Sequence, residues 1–228
     1  MADRVRWIFA AATLPLMAGC AMVPPADPAT TAGPPSTAAV IAPDVAATGW
    51  RATATPQDRD RVRNWYSAWE AALADARADG DGAKVDAEGA LLEPLAALPN
   101  PHLPPGAYRC RTVKVGSQGG PPGLIAYGWF NCKVASEQGI VSLTKTSGSQ
   151  RPVGLVFPDD MRRQIFLGTL LLADETMPLD YGTDRMRDMA GLVERIGEAR
   201  WRLVLPRPAY ESLLDVIELV PATELKEL

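Results

Sequence analysis

The chain has 228 residues, 47% of them hydrophobic and 22% charged, with a formal net charge of −4. That is enough for one ordinary domain with a core of its own. No long run of lysine or arginine interrupts the acidic balance, which disfavours a nucleic-acid partner, and beyond the N-terminus no apolar stretch approaches the length of a membrane-spanning helix.

In chain order, Arg4 and Arg6 precede an apolar run from Trp7 to Met17, too short to span a bilayer, and small residues stand just before Cys20. Leu16-Met17-Ala18-Gly19-Cys20 resembles the lipobox of bacterial lipoproteins, with Met17 where leucine is most usual. The resemblance implies a signal peptide over residues 1–19 and lipidation of the Cys20 thiol. An ordinary secretory signal with an incidental cysteine, or a buried N-terminal helix, is the plainer alternative. Residues 20–49 are rich in Pro, Ala, Thr and Gly, with Pro24, Pro25, Pro28, Pro34, Pro35 and Pro43 and only Asp27 and Asp44 charged. Such a segment cannot build a core and reads as a tether with a reach on the order of 30 Å.

Residues 50–107 read as a helical segment. Thr55-Pro56-Gln57-Asp58 is a helix start, and Val62, Trp65, Tyr66, Trp69, Leu73 and Ala76 recur at helical spacing, predicting one amphipathic helix that ends near Gly80-Asp81-Gly82. Its aromatic stripe is expected to pack on the core rather than to serve as a ligand platform. Lys84 to Ala97 predicts a shorter helix, stopped by Pro99, Pro101, Pro104 and Pro105.

Residues 108–228 read as an antiparallel β domain, because the period falls to two from Tyr108 onward. The expected strands are Tyr108 to Val115, Tyr127 to Ala135, Ile140 to Thr146, Val153 to Phe157, Gln164 to Leu172, Asp188 to Ile196, Arg200 to Leu205 and Leu214 to Val220. Turn residues such as Gln138-Gly139, Pro158-Asp159-Asp160 and Gly197-Glu198 separate them. Eight consecutive short strands favour a meander, and closure removes its edges. The expected fold is mainly β with N-terminal helices (α+β), a small calycin-like barrel of about eight strands. An open, curved sheet covered by a helix is the alternative.

With Cys20 assigned to lipidation, Cys110 and Cys132 form an even pair in an exported setting, and a disulfide is the default. The single histidine, His102, lies in a proline-rich loop and does not complete a zinc site with them. Gln150 and Arg151 follow a glycine-bearing turn, and Arg187, Asp188 and Arg195 stand where charges interleave through a strand. With Arg202, these six are the candidate ligand-binding residues, since a guanidinium fork matches a carboxylate or a phosphate. The plainer expectation is that the arginines pair with Asp188, Glu194, Asp215 and Glu218 across neighbouring strands. Ser147-Gly148-Ser149 lacks the order of a nucleophile elbow, and no phosphate loop, dinucleotide fingerprint or calcium loop appears, so no cofactor is expected.

Gly148-Ser149-Gln150-Arg151-Pro152-Val153-Gly154, Phe166-Leu167-Gly168-Thr169, Arg187-Asp188-Met189-Ala190-Gly191, Glu194-Arg195-Ile196-Gly197 with Trp201-Arg202-Leu203, and Asp215-Val216-Ile217-Glu218-Leu219 occur in succession. Together they resemble an uncharacterised family of Gram-negative lipoproteins described as a domain of unknown function, over most of Trp50 to Ala222. The resemblance implies a secreted, lipid-anchored domain and transfers no catalytic residue. Under the sorting rule of such lipoproteins, Ala21 in place of aspartate implies the outer membrane, facing the periplasm. The expectation is a non-enzymatic binding module for a small amphiphile or an envelope protein, with the membrane as partner through its lipid. A hydrolase of envelope material, using carboxylates such as Asp159-Asp160 or Asp174-Glu175, is the alternative.

Overall fold

Each strand from the one that carries Tyr108 onward pairs antiparallel with its neighbours, and the last returns to the first. The structure, a computed structural model, describes residues 49–120 and 122–222. The signal and tether expectations, Cys20 among them, fall outside the described residues. The strands are β1 (Gly106–Val115), β2 (Leu124–Ala126), β3 (Phe130–Glu137), β4 (Ile140–Lys145), β5 (Gln150–Pro158), β6 (Arg163–Leu172), β7 (Asp188–Gly197), β8 (Arg200–Pro206) and β9 (Leu214–Pro221). β3 to β9 run as a meander, and β1 joins β3 on one side and β9 on the other, in register from Tyr108↔Pro221 to Val115↔Leu214. The result is a closed eight-stranded barrel with β2 as an extra strand, the closed alternative of the two expected.

β2 was not expected as a separate strand, and its origin is a local irregularity. β1 passes from Val113 to Cys110 in three steps while its partner passes from Ala126 to Phe130 in four. One residue is in excess, as in a β-bulge, and Gly128 sits in the displaced stretch. Tyr127 N still donates to Thr112 O at 2.9 Å, so the pairing bends rather than ends.

The helices are α1 (Trp50–Thr53), α2 (Pro56–Arg63), α3 (Trp65–Ala78) and α4 (Gly82–Ala87), followed by a 3₁₀ turn at Gly89–Leu91. Thr55 caps α2 as expected, its Oγ1 accepting from Asp58 N at 3.2 Å with Pro56 at the first helical position. The single helix expected from residue 55 to about 80 is instead two. Asn64 leaves helical geometry at φ −100°, ψ 21°, and its Nδ2 donates back to Asp60 O at 3.0 Å, a side-chain bond that competes with the helical ladder. The second expected helix stops early, because Gly89 takes φ +53° and the carbonyls beyond it turn toward Arg202.

Two cores lie back to back across the barrel wall. Tyr108, Cys110, Cys132, Val134, Leu143, Phe166, Met189, Val193, Trp201, Leu203, Ile217 and Leu219 fill the interior. On the outside, Trp69, Ala72, Ala76 and Leu91 from the helical segment pack on Val113, Leu155, Leu167, Leu192, Val204 and Val216. β5 to β9 are therefore buried on both faces along most of their length. Inside, Gly154 faces Gly168, and a Cβ on Gly168 would lie 2.3 Å from Val153 O and 2.8 Å from the Phe166 ring. The Phe166 ring occupies the space that two side chains would otherwise claim.

Charges are ordered on the outer wall. Arg163, Glu194, Arg202, Glu218 and Arg111 stand opposite one another on five adjacent strands, alternating in sign. Opposite-charge pairs in this arrangement favour the register in which they meet. The disulfide joins Cys110 of β1 to Cys132 of β3, with Cα atoms 5.9 Å apart.

Candidate functional site

One end of the barrel is plugged by the proline-rich loop before β1. Leu103 is fully buried there, its N–H donating to Gln164 Oε1 at 3.2 Å, while Tyr108 Oη donates to Pro104 O at 2.7 Å and Trp201 Nε1 to His102 O at 3.0 Å. His102 is exposed on this plug. The other end is open. A cavity of about 30 Å³ remains inside its mouth, among Thr112, Leu170, Met189, Leu205, Asp215 and Ile217, which makes the interior filled rather than hollow. Ligand pockets for organic molecules are about ten times larger or more.

Charge enters the mouth on strand positions that point inward. Lys114 belongs to the same face of β1 as Tyr108 and Cys110, and Asp215 to the same face of β9 as Ile217 and Leu219. Closure of β1 on β9 sets the two opposite each other, and Lys114 Nζ lies 3.0 Å from Asp215 Oδ2. Glu211 also reaches Lys114 Nζ, at 3.2 Å, and Ser212 Oγ donates to Asp215 Oδ1. Burial pushes the Asp215 carboxyl up, against the pull of Lys114. Burial opposes the charge on Lys114 as well, but Asp215 and Glu211 outweigh it and its affinity for the proton is raised.

Lys145, at the end of β4, is the second buried ammonium. Its Nζ donates to Gln150 O at 3.0 Å and stands 3.9 Å from the centre of the Phe130 ring. Burial lowers Lys145 to about 8, the charges of Lys114 and Arg151 add to the depression, and Asp215 opposes it. Between the two lysines lies an open recess of about 140 Å³, walled by Thr112, Tyr127, Phe130, Ser149 and Gln150. A wider groove of about 550 Å³ shares Lys114, Tyr127 and Glu211 with it.

The six residues proposed from sequence divide by location. Gln150 is at the recess, its Nε2 donating to Glu211 Oε1 at 3.3 Å. Arg151 donates to the carbonyls of Gly148, Ala173 and Glu175, tying the turn before β5 to the loop after β6. Arg187 forks onto Glu175 at 2.8 and 2.9 Å, and this pairing holds the Glu175 carboxyl down at about 2. Asp188 lies beneath α2, at the edge of the small cavity inside the mouth. Its Oδ1 accepts from Gly182 N, its carbonyl accepts from Arg61, and burial raises its carboxyl.

Both Arg195 and Arg202 hold the segment before β1, Arg202 from the outer wall and Arg195 from the face of β7 that carries Val193, opposite Trp201 of β8. Arg195 donates to the carbonyls of Pro99 and Asn100. Arg202 is fully buried, donates to Glu194 and to the carbonyls of Ala90, Leu91, Glu93 and Pro94, and stacks 4.5 Å above the Trp69 ring. Cross-strand pairing, the plainer expectation, thus accounts for Arg202 with Glu194. Lys114, Lys145, Ser212 and Glu211 were not proposed from sequence, and Asp215 entered only as a pairing partner. The available signal was an ionisable residue on the apolar stripe of a strand, as at Lys114 and Asp215.

These features define a meander β-barrel with one plugged end, a filled interior and a charged, open mouth. Residues 50–219 match the family described as Domain of unknown function (DUF4893), and the chain belongs to that family. Comparison with curated proteins and with solved structures finds no match. Among the described residues, no helix is long and apolar enough to cross a membrane, and no group of three His, Cys, Asp or Glu side chains is placed to hold a metal ion.

Proposed function

We propose that this chain is a lipid-anchored protein of the bacterial envelope, facing the periplasm from the outer membrane, that acts as a non-enzymatic binding module through its barrel mouth. The observation that carries the binding reading is the contrast between a filled interior and an open, charged recess at one end. An amphiphile with its tail inside the barrel finds too little room there. A partner presented to the mouth, either a small ligand or a projecting group of an envelope protein, meets two lysines and two aromatic rings. The lipid anchor rests on Arg4, Arg6, the apolar run and Leu16 to Cys20.

Fractionation and cross-linking test the two parts separately. Cys20→Ser is expected to move the protein from the membrane to the soluble fraction, and unchanged membrane retention would refute the anchor. Cross-linking in intact cells, followed by mass mapping, is expected to place partner adducts on Tyr127, Gln150 or Glu211. Adducts confined to the plugged end or the helical wall would refute the mouth as the binding surface.

A further inference from the structure

We propose that the recess beside Lys145 is a binding site for a small oxyanion, a carboxylate or phosphate group, with Lys145 as its principal counter-charge. The inference rests on the reading of the mouth as the binding surface and names the chemistry of its ligand. It begins from the distribution of charge. Lys114 is neutralised by Asp215 and Glu211, and Asp215 is paired with Lys114 and accepts a hydrogen bond from Ser212. Lys145 is 6% exposed and forms no ion pair among the described residues. Its partners are one carbonyl and one ring face, which stabilise a cation far less than a carboxylate does. Buried charges in native proteins are normally paired, so an ammonium left in this state beside an open recess is poised for an anion from outside.

The recess suits such a group in size and lining. Its volume of about 140 Å³ is several times the roughly 30 Å³ share of a water molecule in the liquid. The Thr112 and Ser149 hydroxyls and the Gln150 amide supply neutral donor groups on its wall, and Phe130 and Tyr127 supply apolar surface for the body that carries the anion. The rim already holds a protein carboxylate in a comparable position. Glu211, on the loop before β9 with φ +68°, extends a half-exposed side chain over the mouth, onto Lys114 and Gln150. An incoming oxyanion would compete with Glu211 for these donors and gain Lys145 in addition.

The charged groups facing Lys145 are Lys114 on β1, Arg151 on β5, Asp215 on β9 and Glu211 on the rim. Burial first, then the charges of Lys114 and Arg151, favour loss of its proton when the recess is empty, with Asp215 opposing them, and a bound oxyanion favours its return. Anion affinity is therefore expected to fall tenfold per pH unit above about 8, the region where Lys145 of the free protein titrates.

The test uses the full chain with acetate, inorganic phosphate and, as a control, chloride. Lys145 is followed by amine labelling and peptide mass mapping, and affinity by calorimetry. Acetate or phosphate, but not chloride, is expected to slow Lys145 labelling at least tenfold near pH 8. Protection by acetate alone assigns a carboxylate ligand, and protection by phosphate alone assigns a phosphoryl one. Lys145→Met is expected to lose affinity at least tenfold and Lys145→Arg to restore part of it, while Glu211→Gln tightens binding severalfold. Unchanged labelling with both oxyanions, or equal protection by chloride, would overturn the proposal, and the wild-type labelling decides this even where a variant folds poorly. Failure here with cross-links still on the mouth removes the oxyanion and leaves the binding surface. Cross-links elsewhere remove the surface itself.

Discussion

Arg202→Met tests whether this arginine is a structural staple or a ligand donor. Methionine keeps the apolar stem and removes the guanidinium, which donates to Glu194 Oε2 from Nε at 2.8 Å and approaches the same oxygen from Nη2 at 2.6 Å. Nη1 also donates to the carbonyls of Ala90, Leu91 and Glu93 at 2.9, 3.0 and 2.7 Å. The variant leaves Glu194, fully buried, with Arg163 Nε at 2.7 Å as its remaining cation. Removing one partner of a buried ion pair costs about 3–5 kcal/mol, and the carbonyls left without their donor place the total in the upper part of that range. This is a large share of the roughly 5–15 kcal/mol that keeps a domain folded. At about 2–4 °C per kcal/mol for a domain of this size, a loss of about 4–5 kcal/mol lowers the melting temperature by about 8–20 °C. Urea unfolding followed by tryptophan fluorescence measures the free-energy loss, because Trp69 lies beneath the guanidinium. Arg202→Met/Glu194→Gln is expected to lose less than the sum of the two single changes, as neither leaves the other charge stranded. A loss below about 1 kcal/mol for Arg202→Met, or strict additivity in the double variant, would refute the staple.

Reducing the Cys110–Cys132 disulfide, which closes a loop with a sequence separation of 22, is expected to cost about 3 kcal/mol by the loop-entropy relation, read as a drop in urea midpoint at constant slope. Gly168→Ala places a methyl 2.3 Å from Val153 O and is expected to destabilise by about 3 kcal/mol or more, because a backbone oxygen cannot turn aside as a side chain can. A loss under about 1 kcal/mol would show that the barrel relaxes there. Lys145 sets a pH dependence. Its folded-state value, about 8, lies below its ordinary one, so between these values the unfolded chain holds more protons and stability rises with pH, by up to about 1.4 kcal/mol per unit. Lys145→Met removes this contribution, and a wild-type minus variant difference that is flat or falls from pH 8 to 10 would contradict it.

The strands were legible where one face meets the helices or the interior and the other meets water. On β3, buried Cys132 and Val134 alternate with more exposed neighbours, and the turn at Gln138-Gly139 takes positive φ at both residues. β6 and β7 are buried on both faces, so alternation fades there, and flanking turns such as Pro158-Asp159-Asp160 carried the assignment instead. The break at Asn64 was hidden because Val62, Trp69 and Ala76 stay in phase across it: the outer wall needs the same face buried on both sides of the break. Periodicity reports which face is buried, and a short side chain that bonds back to the helix leaves that record untouched.

The mouth was legible only in its parts. Lys114 and Asp215 are 101 residues apart in sequence and meet only because β1 closes on β9, so neither signals a site by itself. The arginines mislead for the complementary reason. A guanidinium fork fits a carbonyl cluster as well as it fits a carboxylate ligand, and short-range sequence does not say which will be opposite. For Arg202 the answer was set by the segment around Ala90 to Pro94, more than a hundred residues earlier, whose carbonyls converge on one side chain. For Lys145 no such segment arrives among the described residues, and Glu211 reaches past it to Lys114. The same test, what the chain itself offers to a buried cation, thus separates an arginine built into the wall from a lysine left facing the opening.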